Sequence, residues 1–309
     1  MRSVDALIAR RLSSDVPLIR RIAEHIISGG GKRLRPALVS LSAGCFGYRG
    51  TAHHELAAVV EFIHTATLLH DDIVDESDMR RGSQTANARF GNAPSVLVGD
   101  FLYSRAFQMM VSAGNLRVMA VLADATNAIA EGEVLQLINA RNAAISEEDY
   151  LAVVRRKTAK LFEAAAQIGA IVACAEAEDE RSIARYGLHL GTAFQLIDDV
   201  LDYFGDSQET GKSLGDDLSE GKPTLPLIRV IQNGTPEQAT VVRNAILQGG
   251  RADFDTVLQA IRETDALQYT RDKAQSEATT ACSGIERLKS SPYRDSLLEL
   301  AQFAVTRSH

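Results

Sequence analysis

Two aspartate clusters, Asp71-Asp72-Ile73-Val74-Asp75 and Asp198-Asp199-Val200-Leu201-Asp202, repeat one spacing in distant parts of the chain. On a helix, residues four apart share a face, so Asp71 projects beside Asp75 and Asp198 beside Asp202. Asp72 and Asp199 lie roughly 100° round the axis from them. Like charges at this spacing repel, Asp is a mediocre helix former, and a carboxylate late in a helix opposes the dipole. A lone cluster of this kind could be a solvated acidic face, but the surroundings here are apolar: Leu56 to Leu69 before the first, Phe194-Gln195-Leu196-Ile197 and Val200-Leu201 around the second. Oxygen ligands without a Cys/His constellation select a hard cation. Open carboxylate pairs suit Mg²⁺, which keeps waters and shares its shell with substrate phosphate. An EF-hand is a poor fit, because neither cluster has its alternating ligands, central Gly or closing Glu.

Cations suited to a diphosphate are also present. Gly29-Gly30-Gly31-Lys32-Arg33-Leu34-Arg35-Pro36 places three positive charges after a glycine run. It is not a Walker P-loop, which needs a hydroxyl where Arg33 stands. Arg80-Arg81 follows the first cluster, and Lys157-Thr158, Lys160, Lys212 and Lys222 are further candidates. Any one of these alone reads as a surface charge. Their placement around two acidic clusters favours a joint role.

With these motifs in view, the chain resembles the trans-isoprenyl diphosphate synthases. The resemblance rests on Gly31-Lys32-Arg33-Leu34-Arg35-Pro36, on His64 to Gly82, on Lys157-Thr158, and on Gly191-Thr192-Ala193-Phe194-Gln195-Leu196-Ile197-Asp198-Asp199-Val200-Leu201-Asp202. It runs from about residue 20 to the C-terminal helices. It implies that Asp71, Asp75 and, more weakly, Asp72 hold Mg²⁺ against an allylic diphosphate, and that Asp198, backed by Asp199 and Asp202, does the same. Several ions would be bridged by that diphosphate. Lys32, Arg35, His64 and Arg81 would bind isopentenyl diphosphate. Arg80, Lys157 and Lys212 would grip the allylic diphosphate, with Thr158 and Gln195 close to the reacting carbons and Lys222 closing the site from a loop. Asp71, Asp75, Asp198, Lys157 and Arg80 would carry the catalytic load. A homodimer is implied as well.

The chemistry accounts for this inventory. Loss of diphosphate from an allylic carbon leaves a carbocation, and the barrier falls when charge growing on the departing oxygens meets metal ions and fixed cations. The double bond of isopentenyl diphosphate then attacks, and a proton is lost, with the released diphosphate as the implied acceptor. No protein nucleophile is required. His70, beside Asp71, reads as a packing residue rather than a base.

The elements that must position these groups are helical. Aromatics are 6% and prolines number seven in 309, while Ala-, Leu-, Glu- and Arg-rich stretches recur at helical spacing and strand signatures are scarce. Helices are expected over Pro17 to Ser28, Arg35 to Gly44, Ala52 to Ser77, Pro94 to Ala113, Leu116 to Asn139 and Glu147 to Ala175. More follow over Glu178 to Phe204, Leu225 to Asn233, Pro236 to Leu247, Phe254 to Asp265, Leu267 to Leu288 and Tyr293 to Val305. Two clusters serving one site require both helices to line a common cavity. The expectation is therefore a single all-α domain over residues 1–309, a large helical bundle around a central cavity.

Net charge −7, with no basic stripe interleaved by aromatics, argues against nucleic-acid binding. Three cysteines, Cys45, Cys174 and Cys282, have no metal spacing and suit a reducing compartment. No segment approaches the roughly 18 uncharged apolar residues of a membrane span. Asp5 and Arg10-Arg11 interrupt any signal-peptide core. The expectation is a cytoplasmic enzyme whose long prenyl product implies peripheral membrane contact on release. In the family it resembles, bulky side chains four or five positions before the first cluster set a floor for short products; here stand Thr67 and Ala66, both small. The floor is then deeper, with Phe101, Phe107 and Met110 as candidates, and the expected product is hexaprenyl to nonaprenyl, octaprenyl first, as for a quinone side chain. The alternatives are a shorter, geranylgeranyl or farnesyl, synthase and a terpene cyclase. The cyclase typically carries a hydroxyl at the Asp202 position. A head-to-head synthase would show DxxED patterns, and a silent partner subunit would have lost motif residues.

Overall fold

Leu56 to Ile63 is apolar at every position but Glu61, and a helix apolar all round can be stable only with neighbours on every side. In the computed structural model, which describes residues 1–28, 31–80, 82–204, 214–249 and 253–307, each of those eight residues is buried. They belong to helix α4, Ala52–Val74. Packed against it are α1 (Arg2–Arg11), α3 (Leu34–Cys45) and α6 (Asn92–Ser112), the last along most of its length. Helix α2 (Pro17–Ser28) and the short α5 (Ala86–Phe90) contact α6. Further helices are α7 (Leu116–Asn139), α8 (Glu147–Val154), α9 (Lys160–Val172) and α10 (Ala177–Phe204). The rest of the chain adds Asp216–Ser219, Leu225–Asn233, Pro236–Gln248, Phe254–Glu263, Ala266–Ile285 and Pro292–Thr306. The fold is all-α. Among the described residues the one sheet is a hairpin of two-residue strands, β1 (Met79–Arg80) and β2 (Ser83–Gln84), with Met79 opposite Gln84.

Most helices expected from periodicity are present within a few residues. Four local features differ. Helix α4 ends at Val74, not Ser77: Asp75 caps it, and Glu76 turns the chain with φ 50°. Helix α1 lies outside the expected set; its Asp5 and Arg10-Arg11 sit at the ends where the dipole favours them, and Val4, Leu7 and Ile8 are buried. The hairpin and α5 occupy a stretch with no helical period. Glu147 to Ala175 is not one α-helix, because Arg155–Ala159 forms a π-turn between α8 and α9.

Contacts group the residues into two compact units. One contains residues 1–126, 161–187 and 287–297; the other contains 127–160, 188–286 and 298–309. In the second, Leu225–Asn233 packs against Pro236–Gln248 and Ala266–Ile285, burying Leu227, Val230, Val242, Ile246, Val257 and Ile261 with Tyr203. A second cluster joins Tyr150 and Val154 to Leu196, Ile197, Leu225 and Ile228. The first acidic cluster lies in the first unit and the second in the other.

Candidate active site

In the first unit, the last turn of α4 carries the first cluster. Asp75 N–H donates to the Asp71 carbonyl (2.8 Å), so the two carboxylates stand one turn apart at the C-terminal end, where neighbouring helix carbonyls are also negative. A bound cation would relieve that accumulation. Asp72 turns elsewhere: it is 4% exposed and holds Arg80, whose Nε donates to Asp72 Oδ1 (2.8 Å) and whose NH2 lies 2.6 Å from the same oxygen. The hairpin thus has a mechanical purpose. The Asn87 amide donates to the carbonyls of Asp72 (3.2 Å) and Ser77 (3.1 Å), tying the turn after α4 to α5.

On α3, the Arg35 guanidinium lies over the Phe162 ring (4.3 Å to the centroid) and bonds His64 Nε2 on α4 (3.2 Å). Stacking on a buried ring and bonding an imidazole fixes a planar donor fork, the geometry a phosphate requires. Lys32 is exposed just before α3. Arg33, read as one of three charges in that segment, is separated from its neighbours: it adopts φ 49° and pairs with buried Glu61. His70 packs on α6, its ring stacked on Tyr103 (6.1 Å between centroids) and its Nε2 near Asp100 (3.5 Å). Gly99 makes room for it, since a Cβ there would come within 2.3 Å of the imidazole. Ala66 is fully buried, whereas Thr67 is partly exposed and donates its hydroxyl to the His64 carbonyl (2.7 Å). Of the candidate floor residues on α6, Met110 is buried and Phe107 is 42% exposed.

In the second unit, Asp198, Asp199 and Asp202 have three different environments. Asp198 is partly exposed and its Oδ1 is 2.7 Å from Arg307, whose side chain is only 3% exposed. That guanidinium also donates to the Phe194 carbonyl (2.7 Å) and lies over the Phe194 ring (3.8 Å). Asp199 is buried. It accepts from the Tyr150 hydroxyl and from Gln195 Nε2 (2.9 Å), and Thr158 Oγ1 donates to Gln195 Oε1 (2.9 Å). Burial, with Asp217 and Asp198 nearby, pushes Asp199 up to about 8 against the opposing pull of Tyr150 and Gln195. Burial and the charge of Asp199 likewise raise Tyr150 well above the phenol range. Asp202 organises the chain: its Oδ2 accepts from Asp217 N–H (3.3 Å) and its carbonyl from Gly215 N–H (2.8 Å).

Lys157 and Thr158 sit in the π-turn. Lys157 Nζ is 2.5 Å from Glu133 Oε2 on α7, which crosses at Gly132, where a Cβ would lie 2.6 Å from the Lys157 nitrogen. Single π-turns inside helices are frequent at functional sites. Lys222 pairs with Glu220 (2.5 Å). Arg81 and Lys212 lie outside the described residues.

Among the described residues no three His, Cys, Asp or Glu side chains converge on one metal position. The donor set nonetheless fits Mg²⁺ completed by water and phosphate, since its members are all oxygens and come singly or in pairs. Sequence reasoning missed Tyr150, Glu133, Asp217 and Arg307. Only Asp217, inside Gly215-Asp216-Asp217, carried a visible signal; the others act through contacts that no local spacing encodes.

Helices throughout, with one acidic cluster on each of two of them, are the features of the all-α isoprenoid synthase fold. The chain belongs to the polyprenyl synthetase family, whose model matches residues 16–264. It is 55% identical over 308 residues to the octaprenyl diphosphate synthase of Escherichia coli (strain K12), covering 99% of this chain and 95% of that protein. It is 42% identical over 306 residues to the all-trans-nonaprenyl-diphosphate synthase (geranyl-diphosphate specific) of Rhodobacter capsulatus, covering 99% and 94%. Among solved structures, the polyprenyl synthase of Caulobacter crescentus CB15, complexed with calcium and isoprenyl diphosphate, is 44% identical. The match has a TM-score of 0.97 and covers 100% of this chain and 95% of that one.

Proposed function

We propose that this chain is a Mg²⁺-dependent prenyltransferase that condenses an allylic diphosphate with successive isopentenyl diphosphates to a long all-trans polyprenyl diphosphate, octaprenyl for a quinone side chain. The observation that carries the reading is the full-length 55% identity to an octaprenyl diphosphate synthase. The intact acid and cation inventory supports it. In this reading residues 1–309 act as one catalytic domain, and both acidic clusters serve one allylic diphosphate.

Asp71, Asp75 and Asp198 would hold the ions, with Asp72, Asp199 and Asp202 behind them. Bound Mg²⁺ supplies Lewis-acid stabilisation of the departing diphosphate. Arg80, Lys157 and Lys212 meet charge growing on the same oxygens. Asp72 keeps Arg80 directed by a 2.8 Å bond, and a guanidinium has more donors than one carboxylate can take. Lys32, Arg35, His64 and Arg81 hold isopentenyl diphosphate with its double bond facing the allylic carbon, and Lys222 closes the site. Thr158 and Gln195 direct oxygens towards that carbon as its C–O bond breaks. The new C–C bond forms, and a proton leaves to the released diphosphate. The growing chain runs along α4 past Thr67.

A homodimer is part of the proposal, and Leu97 (66% exposed), Phe107 and Val111, spaced along one face of α6, support it. No helix among the described residues is long and apolar enough to cross a membrane. A cytoplasmic enzyme with peripheral membrane contact on product release is the proposed setting. The test is incubation with farnesyl diphosphate, isopentenyl diphosphate and Mg²⁺, with products resolved by mass spectrometry. Octaprenyl diphosphate is expected. Products ending at geranylgeranyl length would overturn the long-chain reading, and a cyclised hydrocarbon would overturn the class.

A further inference from the structure

The second acidic cluster contains a carboxylate that is poorly placed to reach a metal. Asp199 is 2% exposed and both its oxygens are engaged, Oδ2 by the Tyr150 hydroxyl and Oδ1 by Gln195 Nε2. From Gln195 the bonding continues through Oε1 to the Thr158 hydroxyl in the π-turn. All four residues belong to one compact unit.

The direction of every bond in this row follows from one group. Asp199 Oδ1 takes the Gln195 NH₂, which leaves the Gln195 carbonyl oxygen facing Thr158. Tyr150 and Gln195 take one oxygen of Asp199 each, so the carboxyl is held from both sides. The Thr158 hydrogen is then committed to Gln195, and its oxygen can offer only lone pairs to anything else. Without the carboxylate, Gln195 could rotate its amide by half a turn, and Thr158 would point its hydrogen outward. An electron-poor carbon is stabilised by the first arrangement and opposed by the second.

We propose that Asp199 and Tyr150 are positioning residues that fix the polarity of the Gln195–Thr158 pair, so that oxygen lone pairs face the allylic carbon as its bond to diphosphate breaks. This rests on the proposed prenyltransfer reading, which places Thr158 and Gln195 beside that carbon. Asp199 acts through Gln195, and Tyr150 acts by holding the second carboxylate oxygen so that the first stays on the amide.

The test uses the full-length enzyme once wild-type prenyl transfer has been measured, so a failed variant leaves the functional reading standing. Asp199→Asn is nearly isosteric. The new amide would donate to Gln195, turn it over, and reverse Thr158. The expected result is a kcat lower by about a hundredfold, the usual scale for one misdirected polar group at a developing charge, with little change in either KM or in the Mg²⁺ concentration at half activity. Adding Gln195→Glu should restore much of the loss, because the carboxylate it introduces would accept from the new amide with one oxygen and from Thr158 with the other. A merely structural role for Asp199 gives no such rescue. A raised Mg²⁺ requirement in Asp199→Asn would make Asp199 a metal ligand and overturn the proposal, as would wild-type kcat in that variant or no rescue in the double variant. Should Asp199→Asn not fold, Tyr150→Phe decides. It should lose about tenfold in kcat with KM and Mg²⁺ dependence unchanged, and an unaltered kcat refutes the inference.

Discussion

Arg35 and Arg80 are held by different means, and the difference predicts different failures. Arg35 stacks on Phe162 and bonds His64, two contacts that set the plane of its guanidinium, which the proposed reading assigns to isopentenyl diphosphate. Arg80 is paired with a buried carboxylate. Arg35→Ala is expected to raise KM for isopentenyl diphosphate well above any change for the allylic substrate, and Arg80→Ala to do the reverse, read from initial rates with each substrate varied. Arg80→Ala also takes from buried Asp72 the guanidinium it holds, which costs stability. Asp72→Asn with Arg80→Ala should recover the melting temperature yet keep the allylic KM defect. Equal effects on both substrates from both arginines would refute the division. At this scale the sequence is informative wherever spacing alone defines a neighbour, as for Asp71 and Asp75. It is silent on Arg307, which lies more than a hundred positions from its partner Asp198 and meets it only after folding.

Periodicity makes the helices legible because most bury one stripe or, like α4, nearly all of their surface. It misses the hairpin, whose two-residue strands are too short to carry a period, and the π-turn, where one extra residue per turn looks like ordinary helical sequence. The small residues before the first cluster now separate. Ala66 is enclosed on every side, while Thr67 retains partial exposure. Thr67→Phe should fold with near-native stability and yield mainly products around geranylgeranyl length, while the first condensation keeps its rate. Ala66→Phe overpacks a closed core and should lose about 1–3 kcal/mol in denaturant unfolding. Wild-type product length from a stable Thr67→Phe enzyme would move the tunnel to another face of α4.

For the whole molecule, the two compact units each carry one acidic cluster, and the proposed reaction needs both. Asp71→Ala and Asp198→Ala should each lower turnover by orders of magnitude at saturating Mg²⁺ while circular dichroism stays close to wild type; melting should hold for Asp71→Ala and fall for Asp198→Ala, which takes from buried Arg307 its carboxylate. Near-normal turnover in either folded variant would sink the metal assignment. The duplication is visible in the chain itself. What it does not disclose is that the aspartates of a cluster divide their labour: Asp72 anchors Arg80, Asp202 holds the turn at Gly215, and Asp199 lies too deep for water.

The π-turn at Arg155–Ala159 has a consequence for how this protein tolerates change in length. A helix with one π-turn contains one residue more than an unbroken α-helix of the same span needs. Deleting Arg155 or Arg156 would let α8 and α9 join in regular register, with their hydrogen bonds complete and their apolar faces still available to pack. Lys157 and Thr158 would meanwhile turn roughly 100° away from Glu133 and Gln195. The segment can therefore lose its contacts to Glu133 and Gln195 through a single in-frame codon deletion that leaves all four of these residues present and the helix more regular than before.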